Sequence, residues 1–308
     1  MSRTTRILLV SLPIVLLIAV LGYAVAATMK VQADNRAALA SADEASTATT
    51  QPLNPSAPII VAETLPPTSA RASRGTIVFD MAHSEVFGPQ DESELGQSKV
   101  VEQMRAAGYS VQVTTEKITK DTLGPDVAAV FLPGPMVPLM DKERTVLDDF
   151  VRRGGTMIMT VHVPFPVLGT PTRYGLPVGT GVMVDPASTT DPGVWVTREV
   201  KKDPLTVGVK ALSVVSGWPV TTSKSEIADP RIVVEAPAGV VVDSNSDNTF
   251  DGTDLQPPYG VVGVASIGSG RVVVLGDDAI FANIAIGTND NATFLDNLLE
   301  LISAPKPA

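Results

Sequence analysis

The sequence predicts an α/β domain built on a doubly wound, mostly parallel sheet, carrying a β-rich insertion and preceded by one membrane-spanning helix. Three observations predict it. Short, wholly apolar runs rich in β-branched residues recur along the chain, as strands buried on both faces require. Two amphipathic stretches fall between such runs in the order β-α-β-β-α-β, which a parallel sheet with right-handed crossovers produces. The N-terminus holds one long apolar run, Ile7–Val25.

Composition bounds the function. With 308 residues, 44% of them hydrophobic, the chain can bury a sizeable core. A net charge of −10, with no basic cluster beyond the N-terminus, argues against a nucleic-acid partner. The absence of cysteine excludes disulfides, thiol nucleophiles and Cys-ligated zinc.

Residues 1–30 read as a transmembrane anchor or signal segment. At ~1.5 Å per residue, Ile7–Val25 spans ~28 Å, close to the ~30 Å hydrocarbon core. Arg3 and Arg6 precede it, which orients the chain N-terminus inside and sets the remainder outside the cytoplasm. The expectation is a single-pass protein of the cell membrane with an extracytoplasmic C-terminal domain. The alternative is secretion after signal cleavage near Ala26. Residues 31–74, rich in Ala, Ser, Thr and Pro, have linker composition.

The folded domain is expected over 75–304. Thr76–Asp80 reads as its first buried strand, followed by a polar loop carrying His83 and Glu85. Val100, Val101, Met104 and Ala107 mark a helix that Gly108 ends. Ser110–Thr114 and Val127–Leu132 are the next strands. Val146, Leu147, Phe150 and Val151 share a face of the second helix, Gly154-Gly155 closes it, and Thr156–Val161 follows as the fourth strand. From 163 to 260 prolines interrupt short Val/Thr runs, giving a β-rich excursion laid over one end of the sheet. Val261–Ser266 and Arg271–Leu275 read as a hairpin whose second strand rejoins the sheet. Phe294, Leu295, Leu298, Leu299 and Ile302 form the stripe of a final helix.

Four stretches, Ile77–Glu85, Phe150–Gly155, Asp203–Val209 and Gly270–Asn283, together resemble the uncharacterised class I glutamine-amidotransferase-like domains. Those domains occur in membrane-anchored proteins and in auxiliary subunits of gliding-type ABC transport systems. The resemblance implies a flavodoxin-like sheet, a noncatalytic or undefined role, and a membrane-protein or ABC-transporter partner. Glutaminase chemistry itself is excluded. It needs a cysteine on a tight strand-to-helix turn, whereas Thr160-Val-His-Val-Pro164 follows the fourth strand and the chain has no cysteine.

Candidate site residues gather where strands end. Asp80 ends the first strand and His83 follows it, His162 ends the fourth, and Asp277 and Asp278 follow the late strand. Open α/β sheets place ligand crevices at these carboxyl ends. The leading expectation is a noncatalytic binding or scaffold module whose crest faces outward, with Asp80 and Asp277 capping loops. The alternative is a metal-assisted hydrolase using His83, His162 and Asp277, although their spacing matches no recognised metal motif.

A calcium loop is the most specific local signal. Asp243, Asn245, Asp247, Thr249, Asp251 and Asp254 occupy positions 1, 3, 5, 7, 9 and 12 of a twelve-residue loop, the spacing of Ca²⁺ ligands. Asn248 stands where glycine is usual, and Asp254 replaces the bidentate glutamate. An Asx-rich turn is the plain alternative. As a structural ion site it should bind weakly, at about 10⁻⁴–10⁻³ M. Millimolar Ca²⁺ should then raise the melting midpoint relative to chelator, and Asp243→Ala and Asp247→Ala should each abolish the difference. An identical midpoint with and without Ca²⁺ would leave the turn.

Overall fold

The computed structural model describes residues 63–68, 73–165, 167–189, 191–244 and 258–302. Ile7–Val25 lies outside them, as does the calcium loop from Asn245 to Asp254. No helix among the described residues is long and apolar enough to cross a membrane. In chain order the elements are β1 (Glu63–Leu65), β2 (Thr76–Asp80), α1 (Ser98–Ala106), β3 (Ser110–Thr114), β4 (Val127–Pro133), α2 (Asp141–Arg152), β5 (Thr156–Thr160), α3 (Gly169–Arg173), β6 (Val182–Val184), β7 (Val194–Thr197), β8 (Glu199–Val200), β9 (Leu212–Val215), β10 (Asp229–Glu235), β11 (Val241–Asp243), β12 (Gly260–Ile267), β13 (Gly270–Leu275) and α4 (Asn291–Leu301).

The fold is mixed α/β around a nine-stranded sheet in the order β1-β3-β2-β4-β5-β13-β12-β10-β8. The five strands from β3 to β13 are parallel, and antiparallel strands extend both flanks. Period-two alternation divides the side chains between two cores. Ile77, Phe79, Phe131, Ile158, Val273 and Leu275 face α1 and α4, with Met104, Phe294, Leu295 and Leu298 packed on them. Val78, Val130, Leu132, Met157, Met159 and Val274 face α2 through Leu147, Phe150 and Val151. All seven residues of β4 and all five of β5 are buried, which is why these runs are wholly apolar or small and show no polar face.

Two stretches depart from the expected layout. Glu63–Leu65, within the supposed linker, pairs antiparallel with β3 as an edge strand. The excursion does not merely overlie the sheet, because β10 and β8 continue it beyond the β12–β13 hairpin. The remainder forms two small antiparallel sheets, β6 with β11 and β7 with β9. Asp203 accepts a hydrogen bond from Leu205 N (3.0 Å) and caps the turn Pro204–Thr206, while Asn297 of α4 donates to Leu205 O and Val207 O. Asn291, which begins the N-x-[ST] glycosylation sequon Asn291-Ala-Thr293, is fully buried. Its side chain accepts from Ser213 N and donates to Ser213 O, Ile280 O and Ala285 O, so it is closed to glycosylation in the folded chain.

Register lines up the strand ends. Asp80 is level with Thr114, Pro133 with Thr160, and Thr160 with Leu275, so the following loops share one crest. One glycine lets the segment after β9 cross that crest. Gly276 O accepts from Trp218 N (2.6 Å), and a Cβ at Gly276 would sit 2.0 Å from Trp218 O. Gly276→Ala must displace backbone, and a cost of about 1–3 kcal/mol is expected for such overpacking. Denaturant unfolding should show that loss together with a shifted Trp218 emission. Wild-type stability and spectrum would contradict the crossing.

Candidate functional site

Strand order reverses between β2 and β4: from β2 the chain passes to β3 on one side, then to β4 on the other. The carboxyl ends of β2 and β4 therefore flank the position where doubly wound sheets open a crevice. Here buried polar groups fill it. His83 O accepts from Met136 N (2.8 Å) and Val137 N (2.9 Å), drawing the loop after β4 over the loop after β2. The His83 ring lies between two carboxylates, Nδ1 2.6 Å from Asp80 Oδ2 and Nε2 3.1 Å from Glu143 Oε1. Glu143 is in the first turn of α2. It also accepts from Met140 N (3.0 Å) and Ile118 N (3.1 Å), so one carboxylate joins the helix start, the segment after β3 and the imidazole. Ser84, with φ +60°, turns the chain so that Glu85 Oε2 accepts from His83 N (2.8 Å). Exposure is 0% for Asp80, 2% for His83, 6% for Glu85 and 3% for Glu143.

Electrostatics follow from that burial. Desolvation alone would lower the His83 pKa. The Asp80 hydrogen bond and the charges of Asp80, Glu143 and Glu85 outweigh it and raise the imidazole to about 9. Desolvation, then the Asp80 charge, push the Glu85 carboxyl upward.

A second, open constellation sits over β5 and β13. His162 Nδ1 is 2.8 Å from Asp278 Oδ2, with the His162 side chain 32% exposed. Trp218 Nε1 donates to His162 O (3.0 Å), and the Phe87 ring meets the imidazole edge-on at 5.5 Å. These residues with Leu95, Val215, Ser216 and Ala279 line a cavity of about 240 Å³. Gly134, at φ +64°, makes room for the pair, since a Cβ there would stand 2.8 Å from His162 Cβ and 3.1 Å from Asp278 Oδ2. Nε2 of His162 has no hydrogen-bond partner among the described residues.

The proposed hydrolase trio separates in the structure. His83 bonds to Asp80 and Glu143, His162 to Asp278, while Asp277 is fully buried and accepts from Val215 N (2.7 Å) and Ala279 N (2.8 Å). Burial pushes Asp277 up to about 8 against the pull of those N–H groups, and its role is to fasten β9 to the turn after β13. Among the described residues, the one cluster of three or more His, Asp or Glu side chains able to share a metal ion is Asp80, His83 and Glu85, whose donor atoms lie within 4.8 Å of one another. Asp243, the described member of the calcium loop, is buried at the end of β11. Sequence reasoning missed Glu143, which reads as an ordinary acidic residue at a helix start, and the aromatic lining from Phe87 and Trp218.

Residues 89–299 match the family described as Domain of unknown function (DUF4350), and the chain belongs to that family. No curated protein matches it. Among solved structures, the mmIFT52 N-terminal domain is 17% identical and superposes with a TM-score of 0.59, covering 73% of this chain and 96% of its own. That likeness shows the fold. A ThuA-like protein from Bacteroides uniformis is 14% identical over 77% of this chain and 94% of its own, with a TM-score of 0.42. The cytoplasmic protein STM1381 from Salmonella typhimurium LT2 is 9% identical over 74% and 99%, at 0.48. The family match overturns the resemblance to glutamine-amidotransferase-like domains. The family is DUF4350, and the expected ABC-transport partner loses the resemblance on which it rested.

The hydrogen bond to Asp278, and then its charge, raise the His162 pKa above the ordinary value near 6.5, against an opposing effect of burial. Folded His162 thus holds its proton more tightly than unfolded His162. The pair's stabilisation is fully present below about pH 6.5 and fades as pH rises through the raised pKa. Asp278→Asn should return the His162 titration, followed by NMR, toward the ordinary value. An unmoved midpoint would show that Asp278 does not hold the ring.

Proposed function

We propose that this DUF4350 domain is a noncatalytic binding module, held outside the membrane by its N-terminal segment, whose crest receives an apolar group of a partner in the His162–Asp278 pocket. The pocket carries the reading: a partly exposed imidazole whose Nε2 has no hydrogen-bond partner among the described residues, set among Phe87, Leu95 and Trp218 at the carboxyl ends of β5 and β13. Its volume of about 240 Å³ is below the ~300–1,000 Å³ of sites that enclose whole small ligands, so one side chain or a fragment of that size fits. Ser216 lines the same cavity but makes no hydrogen bond to His162, so among the described residues the His–Asp pair has no hydrogen-bonded nucleophile.

Exposed apolar side chains support a docking role. Val86, Leu95, Val137, Met140, Phe165 and Ile284 are all exposed, and all belong to loops that follow the parallel strands. Large apolar groups gathered at one end of a domain mark an interaction surface. Ile7–Val25, with arginines before it, supports a membrane anchor that leaves this crest outside.

The lack of cysteine makes a single-cysteine test clean. Leu95→Cys in the full membrane-bound chain should react with an impermeant maleimide added to spheroplasts. Millimolar N-acetylphenylalaninamide should slow that reaction several-fold, and His162→Ala should remove the protection. A cysteine unreactive from outside would sink the topology; labelling without protection would sink the pocket.

A further inference from the structure

We propose that Asp80, His83 and Glu85 form a structural site for one divalent first-row transition ion, Zn²⁺ or Mn²⁺, at the carboxyl end of β2. The proposal is independent of the His162 pocket and rests on three observations. The first is a donor set already assembled: Asp80 Oδ2 is 2.6 Å and Glu85 Oε1 4.0 Å from His83 Nδ1. Ligands of a tetrahedral ion at ~2.0–2.2 Å stand about 3.4 Å apart, between those two separations.

The second is an orphan. Glu85 Oε1 is buried and accepts from no N–H or O–H among the described residues; its carboxylate faces Asp80 and His83, and it bonds to the Asp80 carboxylate only when one of the two carries a proton. Buried polar atoms are almost always paired, and two buried carboxylates around an imidazole nitrogen require a proton or a cation between them. A dication neutralises both carboxylates without adding net charge to the interior.

The third is an outer shell. His83 Nε2 meets Glu143, Glu85 Oε2 accepts from His83 N, and Asp80 Oδ1 accepts from Ala82 N (3.4 Å), so each donor is oriented by a further contact. A carboxylate on the far nitrogen of a ligating histidine is the usual support of such a ring. One imidazole with two carboxylates suits Zn²⁺ or Mn²⁺ better than Ca²⁺ or Mg²⁺, which prefer oxygen donors throughout. All three donors belong to the end of β2 and the loop after it, so the ion pins that loop, to which the loop after β4 is bonded through His83 O.

The test uses tag-free full chain, stripped with chelator and titrated with ZnCl₂ or MnCl₂, with MgCl₂ as control. One equivalent of Zn²⁺ or Mn²⁺ should bind, raising the melting midpoint by about 5 °C or more at hundredfold saturation, with no comparable response to Mg²⁺. Glu85→Gln should abolish the metal response while keeping the metal-free midpoint, because its amide can donate to Asp80 as a carboxylic acid would. Asp247→Ala, in the calcium loop, should leave the Zn²⁺ or Mn²⁺ response intact. No uptake by the wild type, or uptake that persists in Glu85→Gln, overturns the proposal. Should Glu85→Gln fail to fold, ¹⁵N spectra of the wild type with Zn²⁺ decide: a displaced His83 Nδ1 signal supports the site, and an unchanged one overturns it.

Discussion

The crest depends on the fixing of His83. Its carbonyl receives two N–H groups from the loop after β4, and its ring spans Asp80 at the end of β2 and Glu143 at the start of α2. Asp80, His83 and Glu143 are almost wholly buried, so their side chains depend on one another for hydrogen bonds. Removing any one would leave buried partners unpaired, at about 1–3 kcal/mol per neutral group and more for a charged one. The crevice expected where strand order reverses is therefore closed by polar bonds.

With that point closed, the open site is displaced sideways to β5 and β13. Gly134 follows β4 and Gly276 follows β13, and each stands where a Cβ would strike a neighbour: His162 in the first case, the Trp218 backbone in the second. Trp218 can then cross the strand end and bond to His162 O, forming one wall, while Phe87 from the β2–α1 loop forms another. The crest thus holds two histidines in opposite roles. His83 is enclosed with both ring nitrogens engaged; His162 lines the cavity and is anchored through one nitrogen, the other having no partner among the described residues.

Much of the scaffold was legible in the sequence because burial on both faces forces a recognisable composition. Runs such as Val127–Pro133 admit few polar residues, and helix stripes such as Phe294, Leu295, Leu298 and Leu299 repeat with the helical period. Edge strands escaped, since Glu63–Leu65 and Glu199–Val200 are too short and too polar to carry a pattern. The residues of the crest could be named from strand ends, but not their pairing. His162 and Asp278 are 116 positions apart, and lateral strand order is not written in either segment. Glu143 was hidden by its second role at a helix start. The misleading family resemblance has a physical source as well: Asp203–Val209 is a capped turn packed on α4, and Gly154-Gly155 ends a helix, so such stretches report scaffold geometry that more than one family can share.

The two histidines divide the work of the crest, and the chain contains only these two. Long-range ¹H–¹⁵N spectra of the imidazoles during titration with an aromatic amide read both at once. His162 Nε2 should shift in a saturable manner while His83 stays fixed. Movement of His83 with His162 unchanged would contradict that division, placing the binding site at the strand-order reversal after all.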